Sequence, residues 1–177
     1  MKTTWRRPLL VLCCLLIALA PAASVAETAA EASAAPQVID LLSANTKLDL
    51  THYRGKAILI NFFTSWCAYC MEEMPDIKAV YDAYSEDDLQ IVLVHVWDGE
   101  DASHSETVRK TYGLENLTFF EDEDMSLSAF VGLQGYPASL FVAKDGTLAA
   151  AMNYMLTYEA MEKQLEALQV EKKAVAE

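Results

Sequence analysis

The sequence predicts an α/β domain, a central mixed β-sheet flanked by helices on both faces, and three features of its 177 residues carry that expectation. Two runs of strand length, AILINFF (57–63) and QIVLVHVW (90–97), are apolar on both alternating faces, as strands in the middle of a covered sheet are. The stretch between them spaces its apolar residues three and four apart, the period of a helix. Towards the end, two short runs are joined by Lys144-Asp145-Gly146, whose Asp-Gly pair makes an antiparallel hairpin. Helical crossovers followed by a hairpin give a layered α/β arrangement.

Residues 1–26 open with Lys2, Arg6 and Arg7, continue with LLVLCCLLIALA (9–20) and end on Ser24-Val25-Ala26, the layout of a secretory signal peptide. The apolar run is shorter than the roughly 20 residues that cross a bilayer core, which favours cleavage over the alternative of an uncleaved anchor. Neither Leu12 nor Cys13 is the small residue that a lipoprotein signal places before its cysteine. Residues 27–37 are Ala-rich and polar, a flexible leader; the domain is expected over 38–170 and a tail over 171–177. Within the domain, 47–50 reads as a short strand and 53–56 as a turn ahead of the strand at 57–63. A helix is expected over 67–84, apolar at Met71, Met74, Ile77, Ala79 and Val80, with a kink at Pro75. After the strand at 90–97, Ser103 and Glu106 form a capping box for a helix that runs to about Tyr112 and ends at Gly113. Residues 117–120 read as a strand and 124–131 as a short helix stopped by Gly132. The hairpin pairs 139–143 with 147–152, and an amphipathic helix over 157–169 closes the domain.

Cys13 and Cys14 fall in the signal segment, so the mature chain keeps only Cys67 and Cys70. No disulfide framework is possible. His52, His95 and His104 are scattered, without the ligand spacing a zinc site needs, and no metal or other cofactor is expected. In an oxidising compartment a close cysteine pair is most simply a redox pair. A Cu(I)-binding module, using both thiols and one distant histidine, remains an alternative of a different class. All 26 acidic residues follow residue 26 while three of the 13 basic ones precede it, leaving a mature net charge of −16. Nucleic acid is thereby disfavoured as a partner, because phosphate binding needs a basic face. The chain is expected outside the cytoplasm, periplasmic or exported, or anchored to the outer face of the inner membrane, and monomeric.

A strand, then Trp66-Cys67-Ala68-Tyr69-Cys70 at a helix start, Pro75 inside that helix and Gly135-Tyr136-Pro137 before a hairpin together resemble the thioredoxin fold. The chain is most similar to extracytoplasmic thiol:disulfide oxidoreductases of the TlpA/ResA type, which include the cytochrome c maturation thioredoxins. The likeness rests also on TKLDLTHYRGKAILINFF (46–63) and on Cys-x-x-Cys-x-x-Glu-x-Pro over 67–75, and it covers about 38–168. It implies that Pro137 is cis and presents the Tyr136 backbone to a bound peptide. It also implies protein disulfides as substrates and a membrane electron donor of the CcdA/DsbD type. Cys67, at a helix N-terminus that favours an anion, is the expected nucleophile, and Cys70 the resolving thiol.

Glu73 stands where similar proteins keep a glutamate, and Asn61 where thioredoxin has a buried acid; Glu73 is therefore the candidate acid/base for Cys70, against the reading of a solvent-facing carboxylate. Trp66 is expected to shield the thiols. Tyr69, Tyr136 and Tyr154 are expected to converge on one rim and select substrates with an apolar or aromatic residue beside their cysteine; the alternative is that Tyr154 packs with Met155 and Leu156. No Lys, Arg or His occurs from 57 to 77, while Glu72, Glu73 and Asp76 do, so the pair is expected to act as a reductant. A peroxide-reducing enzyme is the other alternative, suggested by Thr64-x-x-Cys67 but opposed by Ile60, where peroxiredoxins carry proline, and by the nearness of the second cysteine.

Overall fold

The computed structural model of the chain describes residues 48–97, 99 and 102–174; the signal segment and leader expected over 1–37 lie outside them. Seven residues of unbroken burial form β1 (Ala57–Phe63) at the centre of the sheet. β2 (Leu89–Val96) runs parallel to it with Ile60 opposite Val92, and β3 (Thr118–Asp122) runs parallel to β2. On the other side β4 (Ala138–Val142) is antiparallel to β1, and β5 (Leu148–Met152) antiparallel to β4. Among the described residues the sheet has five strands in the order β3-β2-β1-β4-β5.

Alternate side chains of the central strands feed two cores. On one face Leu59, Phe63, Leu93 and Phe141 meet Met74 and Ile77 of α1 (Ala68–Ala83), Val108 of α2 (Ala102–Tyr112), and Met161 and Leu165 of α4 (Tyr158–Ala167). On the other, Ile58, Ile60, Phe62, Val92 and Leu140 pack with Leu127 of α3 (Ser126–Phe130), Leu48 and Leu50. Helices thus cover both faces of a mixed sheet, as the sequence predicts. Because β1, β2 and β3 are parallel, α1 starts at the end of the sheet where their C-termini lie, the edge at which α/β proteins place ligand sites.

Several local expectations are corrected. Residues 48–50 are not a strand: Asp49 accepts hydrogen bonds from the Thr51 N–H (2.9 Å) and hydroxyl (2.5 Å), and the chain turns into a single 3-10 turn, Thr51–Tyr53. Leu48 and Leu50 are buried all the same, under the sheet, since β2 and β4 occupy both edges of β1. α1 is continuous across Pro75, and its buried face is Cys70, Glu73, Met74, Ile77 and Val80, with Ala79 exposed. α2 begins at Ala102, so Ser103 lies inside its first turn instead of capping it. Gly113 follows it at φ 67°, and Gly132 follows the shortened α3 at φ 68°. The Asp-Gly hairpin forms as expected, with the Ala143 N–H bonded to the Thr147 carbonyl at 2.9 Å. Beyond α4, the Lys173 N–H reaches the Ala83 carbonyl at 2.9 Å and holds the chain against the end of α1. Among the described residues no helix is long and apolar enough to cross a membrane.

Candidate active site

Cys67 is the N-cap of α1, and its sulfur accepts the Cys70 N–H at 3.2 Å. Thr64 to Trp66 make the turn from β1, and the Cys67 N–H is bonded to the Thr64 carbonyl at 3.3 Å. Cys67 and Cys70 are joined in a disulfide; Cys67 keeps a sliver of exposure and Cys70 none. A sulfur at this place faces unpaired helix N–H groups, which stabilise a thiolate once the bond is reduced.

Three residues after Cys70 on the same face of α1, Glu73 is 0% exposed. One carboxylate oxygen accepts the Asn61 side-chain N–H at 3.0 Å, the other the Leu156 backbone N–H at 2.9 Å. Burial pushes its pKa up to about 7; the two hydrogen bonds oppose the shift, and Asp76 adds to it. The second Asn61 N–H goes to the Ser139 hydroxyl at 3.0 Å, while the Asn61 side-chain oxygen, also buried, has no partner among the described residues. The solvent-facing reading of Glu73 is thereby overturned. What the sequence hides is its partners: Asn61 stands out there by position alone, and nothing marks the Leu156 N–H or Ser139.

Around the thiols lies the expected rim. The Tyr136–Pro137 peptide bond is cis. Tyr69, Tyr136, Pro137, Asn153, Tyr154 and Met155 line a cleft of about 400 Å³. Tyr154 is 59% exposed and donates from its hydroxyl to the Met152 sulfur at 3.3 Å, so it stands on the rim and is not packed into the sheet edge. Trp66, 68% exposed, fills no core; its ring meets that of Tyr136 edge to face, centroids 6.5 Å apart. Burial raises the Tyr136 phenol above its usual pKa. Further along the sheet end, Glu121 accepts from the Ser105 hydroxyl at 2.5 Å and pairs with His95 at 2.7 Å, a half-buried link between α2, β3 and β2 that has no signature in the sequence. Among the described residues no three His, Cys, Asp or Glu side chains are grouped to hold a metal ion.

Fold and site define the class: a thioredoxin-like thiol:disulfide oxidoreductase with a Cys67–Cys70 dithiol/disulfide pair. Residues 27–151 match the AhpC/TSA family, and the chain belongs to it. It is 29% identical over 119 residues to the thiol-disulfide oxidoreductase ResA of Geobacillus thermodenitrificans, covering 67% of each chain. The ResA of Bacillus subtilis is 26% identical over 131 residues, 74% of this chain and 72% of its own. Two solved structures share the fold. StoA of Bacillus subtilis does so at 23% identity and TM-score 0.56, covering 63% of this chain and 83% of its own. The exposed lipoprotein thioredoxin Etrx1 of Streptococcus pneumoniae does so at 23% identity and TM-score 0.58, covering 66% and 88%.

The raised pKa of Glu73 sets a stability test. In the unfolded chain this carboxyl loses its proton near 4.5, in the fold near 7, so between those values the folded state holds a proton the unfolded state lacks. Stability therefore falls as pH rises through this window, by about 3 kcal/mol in all for Glu73 alone. In Glu73→Gln the amide oxygen keeps the Leu156 N–H and the amide nitrogen donates to the Asn61 oxygen once that side chain turns over. Urea unfolding of the oxidised proteins should show the variant gaining about 3 kcal/mol on wild type between pH 4.5 and 8; parallel pH profiles would mean that Glu73 ionises normally.

Proposed function

We propose that the chain works outside the cytoplasm as a disulfide reductase, its Cys67/Cys70 pair passing two electrons and two protons to disulfides of exported proteins. The observation that carries this reading is the cysteine pair at the start of α1 with a fully buried carboxylate one turn further on. The Cys67 thiolate attacks one substrate sulfur, the substrate S–S bond breaks, and the leaving thiolate takes up a proton. Cys70 then gives its proton to the Glu73 carboxylate and attacks the Cys67 sulfur. The second substrate thiol leaves, and the Cys67–Cys70 disulfide remains. A carboxyl of pKa about 7 is matched to moving that proton near neutral pH.

The direction follows from charge. A strongly oxidising pair needs its thiolate stabilised by a nearby cation or histidine. Here 57–77 contains none, and Glu72, Glu73 and Asp76 oppose ionisation of Cys67. A reductant in an oxidising compartment must itself be re-reduced, and a membrane thiol carrier of the CcdA/DsbD type suits a chain led by residues 1–26. Tyr69, Tyr136 and Tyr154 make the cleft aromatic and free of positive charge, which favours substrates with an apolar or aromatic residue next to their cysteine. Apocytochrome c, a periplasmic methionine sulfoxide reductase and a general set of secreted thiols are the candidate substrates; the first would place the protein in cytochrome c maturation.

Equilibration of the Cys67/Cys70 pair in glutathione or dithiothreitol buffers should give a potential nearer the roughly −270 mV of thioredoxin than the roughly −120 mV of DsbA. A value at the DsbA end would reverse the direction proposed. Expressed in its native host, Cys70→Ser should arrest mixed disulfides at Cys67 that mass spectrometry can identify. Trapping by Cys67→Ser alone would exchange the roles of nucleophile and resolving thiol.

A further inference from the structure

We propose that Trp97 and Met125, with the carboxylates of Glu123 and Asp124, form a second docking surface beside the thiols, for a basic, aromatic-bearing stretch of the substrate polypeptide about three to five residues from its reacting cysteine. The inference rests on the reductase reading above. Seven large hydrophobic side chains stand exposed among the described residues. Trp66, Tyr69, Tyr154 and Met155 belong to the cleft and its rim. The other three, Trp97, Met125 and Phe130, are 53%, 46% and 51% exposed and fall together, just after β2, just after β3 and at the end of α3. The Asp122 carbonyl accepts the Trp97 N–H at 3.2 Å and the Met125 N–H at 3.1 Å, so the two residues leave neighbouring strands side by side. The Asp122 carboxylate accepts the Leu127 N–H at 3.0 Å, the Ser128 N–H at 2.8 Å and the Ser128 hydroxyl at 2.6 Å, which fixes α3 to the same point. Single exposed apolar residues are ordinary; a group of three on a held backbone marks an interaction surface.

Position identifies the occupant. β1, β2 and β3 lie side by side and parallel, so Cys67, Trp97 and Met125 all follow strand ends on one edge of the sheet. The tyrosine cleft flanks Cys67 on the β4–β5 side, and Trp97 and Met125 flank it on the β2–β3 side. Strands about 4.8 Å apart put β3 about 10 Å from β1, a span that about three residues of extended chain cover. A polypeptide whose cysteine meets Cys67 at the cleft therefore reaches Trp97 and Met125 as it leaves. Charge sets its character. Glu123 and Asp124 are exposed next to Met125, and no Lys or Arg occurs from 79 to 108 or from 111 to 143. Such a surface attracts a basic chain and repels an acidic one. Met125 itself stands at φ 54°, a conformation glycine takes without strain, so an exposed thioether here is no requirement of the fold.

The test uses pre-reduced full-length protein, the small 2-hydroxyethyl disulfide, and disulfide dimers of N-acetyl-Cys-Gly-Gly-Gly-Trp-Arg-Arg amide and of the same peptide in reverse order, each also made with Glu in place of Arg. In one chain direction the Arg dimer should have a KM about tenfold below its Glu counterpart at low salt, and the gap should narrow as salt is added. Trp97→Ser should raise the KM of that Arg dimer about two- to tenfold with kcat held within about twofold. Met125→Gly should raise it as well while melting no lower than wild type, since glycine relieves the positive φ. Glu123→Gln with Asp124→Asn should shrink the gap between the Arg and Glu dimers. The control pair Glu86→Gln with Asp87→Asn, exposed at the far end of the sheet before β2, should leave it. Equal KM for Arg and Glu dimers in both directions, a gap that the control pair removes as fully, or a KM unmoved by both Trp97→Ser and Met125→Gly overturns the inference. Reduction of 2-hydroxyethyl disulfide by the same protein then leaves the reductase reading in place. A wild-type protein that reduces none of the probes overturns both.

Discussion

The Glu73 carboxylate, closed off from water and held by the Asn61 amide and the Leu156 N–H, is the contact on which the site depends. Through it α1, which carries both cysteines, is fixed to β1 and, by way of Asn61 and Ser139, to β4, which follows Pro137. The same carboxylate holds the chain between β5 and α4, where Tyr154 and Met155 form part of the cleft. A buried acid is costly unless it is bonded or neutral, and here the fold accepts that cost one turn from the thiols. An apolar residue at this place would accept neither the Asn61 nor the Leu156 N–H and would leave the rim loop untied from the helix.

The site is layered accordingly. Helix N–H groups face Cys67 and favour its negative charge, while the buried Glu73 carboxylate follows Cys70 by one turn on the same buried helix face; the two sulfurs differ in environment although they share a helix turn. Tyr69, Tyr136 and Tyr154 line one aromatic rim. On it Tyr154 is held by the strand and loop anchored at Leu156, and the Tyr136 ring meets Trp66 edge to face.

Much of this was legible in the sequence, for identifiable reasons. β1 and β2 are buried on both faces, so their near-continuous apolar runs declare them. Cys67, Cys70 and Pro137 are legible as a spacing, and the three tyrosines through the resemblance that spacing supports. The 48–50 segment misled because Leu48 and Leu50 alternate like a strand while burying themselves without pairing. Glu73 was ambiguous because its helical position, between Cys70 and Ile77, is a core position, whereas its charge argues for the surface. The residues that resolve the conflict are 12 and 83 positions away and, in Leu156, belong to the backbone, which carries no signature in the side-chain sequence. The Asp122–Ser128 link spans six residues and matches no local capping pattern, so only the folded chain reveals it.

The central claim is that a buried Glu73 carboxyl titrates near neutrality while bonded to the rim loop. It is tested most directly by the Leu156 amide in ¹H–¹⁵N spectra of the oxidised protein followed from pH 4 to 9. An amide donating to that carboxylate reports its ionisation, and its proton should move with a midpoint near pH 7 in wild type and stay still in Glu73→Gln. A midpoint near the ordinary value of 4.5, or a shift that survives in Glu73→Gln, would contradict the account.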